Sequence, residues 1–439
     1  MCIVGGIMAE EKEKKTKKKK KKMSKFELIF DLISVVFLVG FAIFYGYRMI
    51  HYKKIFTPKS SDGKKIVLLN NTIKAENDNG LVQEGRYYIF KGENAKNYIK
   101  FSNMLFRITK INSDGTMEMV LDDTLNYLAF DKEKYEFDTS NIDNYLNEYF
   151  YKKLNTSLLT TGTYCKDKVS DLNKITCENK GTSNVKLLSV SDYLNSKKDD
   201  KSYLNDSSIV WLNDNNGEQV WLLNKSNLSL SSPNELYEVK PVLTLNNVVG
   251  VYSGSGTKDD PYIIEEKNEY FASYVKLDND IYRVTDINSN TLKLTMNGLY
   301  KDGNTKMQFS SSSNTFSLEN GLGKHLNSTF LDEISYSSVL VECEHNVGMY
   351  NRYYENVLKN PVTAKVSIPS IIDPIFNKED NNYYLTTPFE DKYVYIFNKD
   401  LYAVKPTALR NIKPVICIDK KSIKSGDGSL NNPYVVEVK

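Results

Sequence analysis

Cysteine and histidine are scarce in this chain, so their positions are where chemistry would first be sought. Five Cys and three His occur among 439 residues. Cys165 and Cys177 flank a polar stretch, Lys166 to Thr176. In an oxidising compartment that spacing suits a local disulfide, Cys165–Cys177, worth roughly 2–4 kcal/mol. Cys343 stands beside His345 with one residue between them. A thiol near an imidazole is half of a metal site or of a nucleophile–base pair, and half is not a site. Cys417 sits in the apolar run Pro414-Val-Ile-Cys-Ile418 and reads as a small strand residue. Cys343 and Cys417 are both expected as free thiols. The remaining histidines, His51 and His325, fall in no motif. No His-Glu-x-x-His pair, nucleophile elbow or doubled Cys-x-x-Cys occurs, so no catalytic, cofactor-binding or metal-ligating residue is assigned. Gly254 and Gly256 lack the Gly-Lys-Ser/Thr of a phosphate loop. The Asp-Asp-Pro-Tyr that follows them is turn chemistry.

The elements that would position such residues come in duplicate. Tyr98-Ile-Lys-Phe-Ser-Asn-Met-Leu-Phe106-Arg107-Ile-Thr109 returns as Tyr274-Val-Lys-Leu-Asp-Asn-Asp-Ile-Tyr282-Arg283-Val-Thr285, 176 positions later (282 − 106). Val239-Lys240-Pro-Val242 returns as Ile412-Lys413-Pro-Val415 after 173 (414 − 241). The turn Ser253 to Tyr262 returns as Ser425 to Tyr434 after 172 (433 − 261). A repeat this long is a domain rather than a solenoid unit. The expected division is module one at 70–266 and module two at 267–439, joined by a short charged link and touching each other. With a spacing of 179, Cys343 falls close to the equivalent of Cys165 (165 + 179 = 344).

The N-terminal region reads as a membrane anchor. Residues 1–25 carry ten Lys and three Glu, and Leu32–Tyr47 has no charge. A helix of about 20 residues spans the hydrocarbon core. The expectation is a Lys-rich cytoplasmic tail at 1–25, a transmembrane signal anchor at 26–50 and a juxtamembrane linker at 51–69. It makes the protein single-pass in the cell membrane, with the modules extracellular under the positive-inside rule. Through Lys54 there are thirteen basic and five acidic residues, a net +8, so of the total +3 the remainder carries 3 − 8 = −5. A mildly acidic remainder argues against nucleic acid as a partner.

Within each module the pattern is α+β and rich in strands. Tyr98–Lys110 and Thr116–Leu121 alternate around Asn112-Ser-Asp-Gly115, a hairpin signal. Leu146-Asn-Glu-Tyr-Phe150 and Leu326-Asn-Ser-Thr-Phe330 place Leu and Phe on one helix face. In this order the elements resemble a family of uncharacterised membrane-anchored surface modules of Gram-positive bacteria. That family shows a Leu-Asn-x-x-Phe helix, a Cys-bearing loop, a Thr-x-Thr-Pro strand, an Arg/Lys-Pro-Val strand, a Gly-Ser-Gly-Thr turn and a Pro-Tyr strand. Tyr383-Tyr-Leu-Thr-Thr-Pro388 matches the Thr-x-Thr-Pro strand, whereas module one has Val210-Trp-Leu-Asn-Asp214 there. More remotely, the modules are similar to C-type-lectin-like folds. Trp211, Asn213 and Asp214 resemble the calcium motif of those lectins with a Leu intruding, and read as a turn after a strand.

The resulting expectation is a binding or adhesion protein for an extracellular glycan or protein ligand. The alternatives are a structural subunit of an envelope complex and, behind it, an enzyme with an unrecognised site. Its 31 Tyr suit glycan or peptide contacts. Specificity is expected in the loops that differ most between copies, Cys165–Asn184 against Cys343–Thr363.

Overall fold

A computed structural model of the chain describes residues 67–264, 270–357, 361–376 and 382–438. The Lys-rich tail, the proposed anchor at 26–50 and most of the linker lie outside the described residues. Among those described, no helix is long and apolar enough to cross a membrane. The longest continuous helical run covers residues 141–153, well short of the roughly 20 residues a span requires. The single-pass anchor, and the extracellular placement that depended on it, are therefore not supported.

The fold class also needs correction. Among the described residues, strand accounts for 38% and helix for 15%, in several sheets with no closed barrel. The expected helix over Ile142–Leu154 is broken into an α turn at Asn141–Asn144, a π segment at Tyr145–Phe150 and a 3-10 turn at Tyr151–Lys153. Short strands fill much of what the sequence presents as polar loop. The architecture is strand-dominated, with helical pieces laid against the sheets.

Residues 66–439 form one compact unit containing the same pair of sheets twice. In module one the first sheet runs Val185–Lys186, Val242–Leu245, Met117–Leu121, Met104–Ile111, then Tyr98–Phe101, which pairs in parallel with Tyr262–Ile263. In module two it runs Val366–Ser367, Val415–Asp419, Thr291–Met296, Asp280–Ile287, Tyr274–Leu277, Tyr434–Val436. The second sheet is Asn227–Ser231, Val220–Asn224, Ile209–Asn215, Leu236–Val239, Asn126–Ala129 in one copy. In the other it is Leu401–Val404, Tyr393–Phe397, Tyr383–Phe389, Arg410–Asn411, Lys306–Met307. Even the irregularities recur. Register shifts fall between Ile108 and Lys110 and between Val284 and Asp286. They fall again between Trp211 and Asn215 and between Tyr384 and Pro388.

The recurring motifs have physical reasons. Ser102 and Asn103 take positive φ between the paired Phe101 and Met104, the geometry that a two-residue hairpin favours. At Gly254 (φ +100°) a Cβ would lie 2.0 Å from the Pro261 carbonyl oxygen; at Gly426 (φ +93°) it would lie 2.1 Å from that of Pro433. The turn closes each first sheet, because the Tyr98 and Tyr274 amides donate to the carbonyls of Gly256 and Gly428 (2.9 and 2.8 Å). In the Leu-Asn-x-x-Phe motif, Leu146, Phe150, Leu326 and Phe330 are buried. The Asn does what sequence reading missed. Asn147 accepts from the Val185 amide and donates to its carbonyl, both at 3.0 Å. Asn327 does the same with Val366 at 3.1 and 2.8 Å. A side-chain amide thus stands in for a neighbouring strand and satisfies an edge that would otherwise be buried unpaired.

One hydrophobic core runs through module one and into module two, taking in Phe271, Ile371, Ile372, Phe376, Tyr383 and Phe397. The boundary is stitched by polar groups. Asn126 donates to the Ile371 carbonyl (2.9 Å), the Tyr145 hydroxyl to that of Ile372 (3.1 Å), and the Ile375 amide to that of Leu125 (2.9 Å).

Candidate functional site

The two copies part company in one connection, and that is where a site is best sought. In module one, Gly162–Cys165 and Lys180–Ser183 form a hairpin whose excursion, residues 166–179, is mostly exposed. The excursion is nonetheless built. Cys165 and Cys177 are bonded, with Cα atoms 5.5 Å apart. The Asp167 carboxylate accepts from the Asn179 amide nitrogens and from the Glu178 amide. Those bonds hold its pKa below the usual carboxylate range, with Asn179's side chain the largest cause. Val169 is buried beneath, its amide donating to the Asn215 carbonyl (2.8 Å) and its carbonyl accepting from Trp221 Nε1 (2.9 Å). Lys168, Asp171, Asn173, Lys174 and Glu178 are left on the outside.

In module two the hairpin is Cys343–His345 with Val362–Ala364. Here the described part of the excursion, 346–357, folds inward and joins the modules. Ala129 of module one donates to the Arg352 carbonyl (3.1 Å), and the Tyr354 ring meets Tyr145 edge-on with centroids 5.4 Å apart. Tyr350 stacks on Tyr354 at 4.9 Å. The expectation that both loops are free to set specificity is therefore wrong for the second, which is spent on the contact between copies.

The cysteines of module two are also placed differently from expectation. Cys343 and Cys417 are bonded, Cα atoms 6.2 Å apart, rather than free thiols. The strand registers show why counting failed. Ser183 faces Gly162, and the corresponding Ala364 faces Cys343. Cys343 is thus the counterpart of Gly162, not of Cys165, and Cys417 is the counterpart of Thr244. A Cβ on Gly162 would sit 2.5 Å from the Thr244 hydroxyl, so this is a point of close approach in both copies. His345 is buried, with Nε2 3.5 Å from Cys343 Sγ and 3.2 Å from the Ala364 carbonyl. Burial, with Lys293 nearby, pushes its pKa down to about 3, so it is neutral. His325 lies on the short helix Gly321–Leu326, and His51 is outside the described residues.

The recurring basic residues are structural. Arg107 donates to Asn97 Oδ1 (2.6 Å), the Tyr98 hydroxyl (2.8 Å) and the Ala95 carbonyl (3.2 Å), and approaches Asp122 at 3.9 Å. Arg283 donates to the Ala272 carbonyl (3.0 Å) and lies over the Phe376 ring at 4.0 Å. Lys240 is paired with Asp206 at 2.6 Å, and Lys413 donates to the Asn297 carbonyl at 3.3 Å. The lectin-like triplet turns inward too. Trp211 Nε1 donates to the Leu128 carbonyl (2.9 Å) and Asp214 accepts from the Val190 amide (2.7 Å). Both lie within the strand Ile209–Asn215, not in a turn after it. Burial pushes the Asp214 carboxyl up to about 7.

A second set of buried charges was invisible in sequence. In module one, Glu118 is held by Lys110 (3.0 Å) and Lys186 (2.7 Å), and Lys110 reaches Asp192 (3.8 Å). In module two, Asp286 is held by Lys293 (3.8 Å) and by Lys153 of module one, whose neighbour Tyr149 donates to Asp373 (3.3 Å). Burial lowers the Lys153 pKa against the pull of Asp286, and burial raises that of Asp373.

The chain matches no family model, no curated protein and no solved structure.

Proposed function

We propose that the protein is a binding protein whose recognition element is the stapled loop 166–179 of module one, presented on a rigid two-module frame. The observation carrying this reading is the contrast between equivalent loops. The described part of one excursion, 346–357, packs half-buried against module one, while the other is exposed, cross-linked and hydrogen-bonded at its base. A loop with a fixed base and outward polar side chains is how rigid scaffolds present recognition groups at low ordering cost. Its outward Lys168, Asp171, Asn173, Lys174 and Glu178 suit polar ligands, a glycan or a protein surface.

The test is an array of glycans and peptides probed with the full chain, beside a variant in which the exposed Lys168, Asp171, Asn173 and Lys174 are replaced by Gly and Ser and the buried Val169 is kept. Wild type should bind a defined subset, and the variant should lose at least tenfold in affinity while its unfolding midpoint stays within a few degrees. Equal binding by the two proteins would reject the loop. Array silence, with one protein co-purifying in fixed stoichiometry, would favour a structural subunit.

A further inference from the structure

The three residues that separate module two's hairpin contact from module one's change together. Where module one has Gly162, Tyr164 and Thr244, module two has Cys343, His345 and Cys417. A fourth change accompanies them. Lys293 stands directly across the strand pair from Cys417, at the position that Glu118 fills opposite Thr244. A disulfide alone would need only the two cysteines. It gives no reason for a buried imidazole aimed at one sulfur.

The donor atoms of Cys343, His345 and Cys417 all lie within 4.8 Å of one another, and all three residues are buried. The separation of Cys343 Sγ from His345 Nε2 is 3.5 Å. Tetrahedral zinc with ordinary bond lengths sets a thiolate sulfur and an imidazole nitrogen about 3.6 Å apart, and two thiolates about 3.8 Å apart. The first distance is already met. The second requires the sulfur–sulfur bond to be open, and the Cα atoms, 6.2 Å apart, leave room for the side chains to part.

We propose that Cys343, His345 and Cys417 form a site for a thiophilic d10 cation of the Zn2+ type, open only when the Cys343–Cys417 disulfide is reduced. A dithiol reductant delivers two electrons and two protons to the S–S bond, becoming a disulfide itself and leaving two thiols. The cation then displaces both thiol protons and takes His345 Nε2 as third donor; the Nε2 proton that faced the Ala364 carbonyl moves to Nδ1, so the ring stays neutral and its hydrogen bond is exchanged for a metal bond. Water completes the tetrahedron. Disulfide and metal are alternative cross-links at one point, each tying the Cys343–His345 hairpin to the Val415–Asp419 strand. This site is independent of the recognition loop.

The experiment uses the full chain with Cys2, Cys165 and Cys177 replaced by Ser, reduced with a phosphine and titrated with Co2+ as a coloured substitute. One equivalent should bind, with tetrahedral visible bands and a sulfur-to-metal charge-transfer band that Zn2+ abolishes. The disulfide form should show neither. His345→Asn, which keeps both cysteines, should weaken binding at least tenfold. No charge-transfer band from a reduced, folded protein would overturn the proposal, as would unchanged binding by His345→Asn or equal binding by the disulfide form. Should reduction unfold module two, recovery of its native circular dichroism on adding Co2+ supports the site, and failure to recover rejects it.

Discussion

Module one encloses its buried charges; module two borrows one. Lys110 and Glu118 face each other across two strands of module one, and Asp286 and Lys293 face each other at the equivalent places with the charges exchanged. Module one adds Lys186 from its own edge strand. The counterpart of Lys186 is Ser367, which brings no charge, and Lys153 reaches across from module one instead. The two arrangements do equivalent work, since a buried carboxylate needs cations close by. They differ in dependence: module one's set is complete alone, and module two's is completed only in contact with its partner. The loops repeat the lesson. Residues 346–357 are drawn into the same contact, and their counterpart stays outside.

The sharpest way to break this comparison is to strand the lysines. Glu118→Gln leaves Lys110 and Lys186 buried without their shared partner and should cost about 3–5 kcal/mol, read by denaturant unfolding. Restoring opposite charges in exchanged order, with Lys110→Asp and Glu118→Lys together, should cost less than the sum of the two single changes. Full additivity would mean the pair is not coupled.

Next in size is a pH effect at a position that titrates in module one and not in module two. The folded-state pKa of Asp214 is raised to about 7 from an ordinary carboxylate value of 3.8. The folded state therefore holds this proton more tightly than the unfolded chain does. Its stabilising contribution is complete below about pH 4 and lost as pH rises towards 7, at most about 4 kcal/mol. Module two has Thr387 accepting the equivalent amide, that of Ile371 at 3.1 Å, and nothing there to titrate. Asp214→Asn should make the stability profile less steep across that window; a profile unchanged by the substitution would contradict the assignment.

The loops and the helix clamps give smaller effects. Tyr354→Ala removes a ring packed between the modules and should cost about 2 kcal/mol, whereas Lys174→Ala on the presented loop should change stability by less than about 0.5 kcal/mol. Similar costs would remove the distinction between the loops. Asn147→Ala and Asn327→Ala each unpair one buried strand edge and should cost about 1–2 kcal/mol apiece, equally in the two copies.

Much of the frame was legible because it is local. The turn at Asn112–Gly115, the glycines before Pro261 and Pro433, and Leu and Phe four apart each act within a few residues; the turn at Ser102-Asn103 did not show, because the alternation ran on through it and Tyr98–Lys110 read as one strand where the structure has two. What failed was long-range. The copies keep a spacing of 176 through Arg283 and 173 at Lys413, but 181 at Val366, because the intervening loops differ in length. One offset carried across those loops put Cys343 opposite Cys165 instead of Gly162. The roles of Asn147 and Lys153 depend on groups 38 and 133 positions away, which no local pattern announces. The helix over 141–153 was marked by Leu146 and Phe150, yet its π and 3-10 turns follow from docking against Val185 and against module two.

The dependence of module two on module one is tested most directly by native-state hydrogen exchange on the full chain in increasing denaturant. Amides of the paired central strands, Ile108 with Met119 in module one and Val284 with Leu294 in module two, should open with one common free energy. Lys153→Met should lower that shared value by about 2–4 kcal/mol for both sets. Opening of the module two strands at a lower free energy, with module one still closed and Lys153→Met without effect on either, would contradict it.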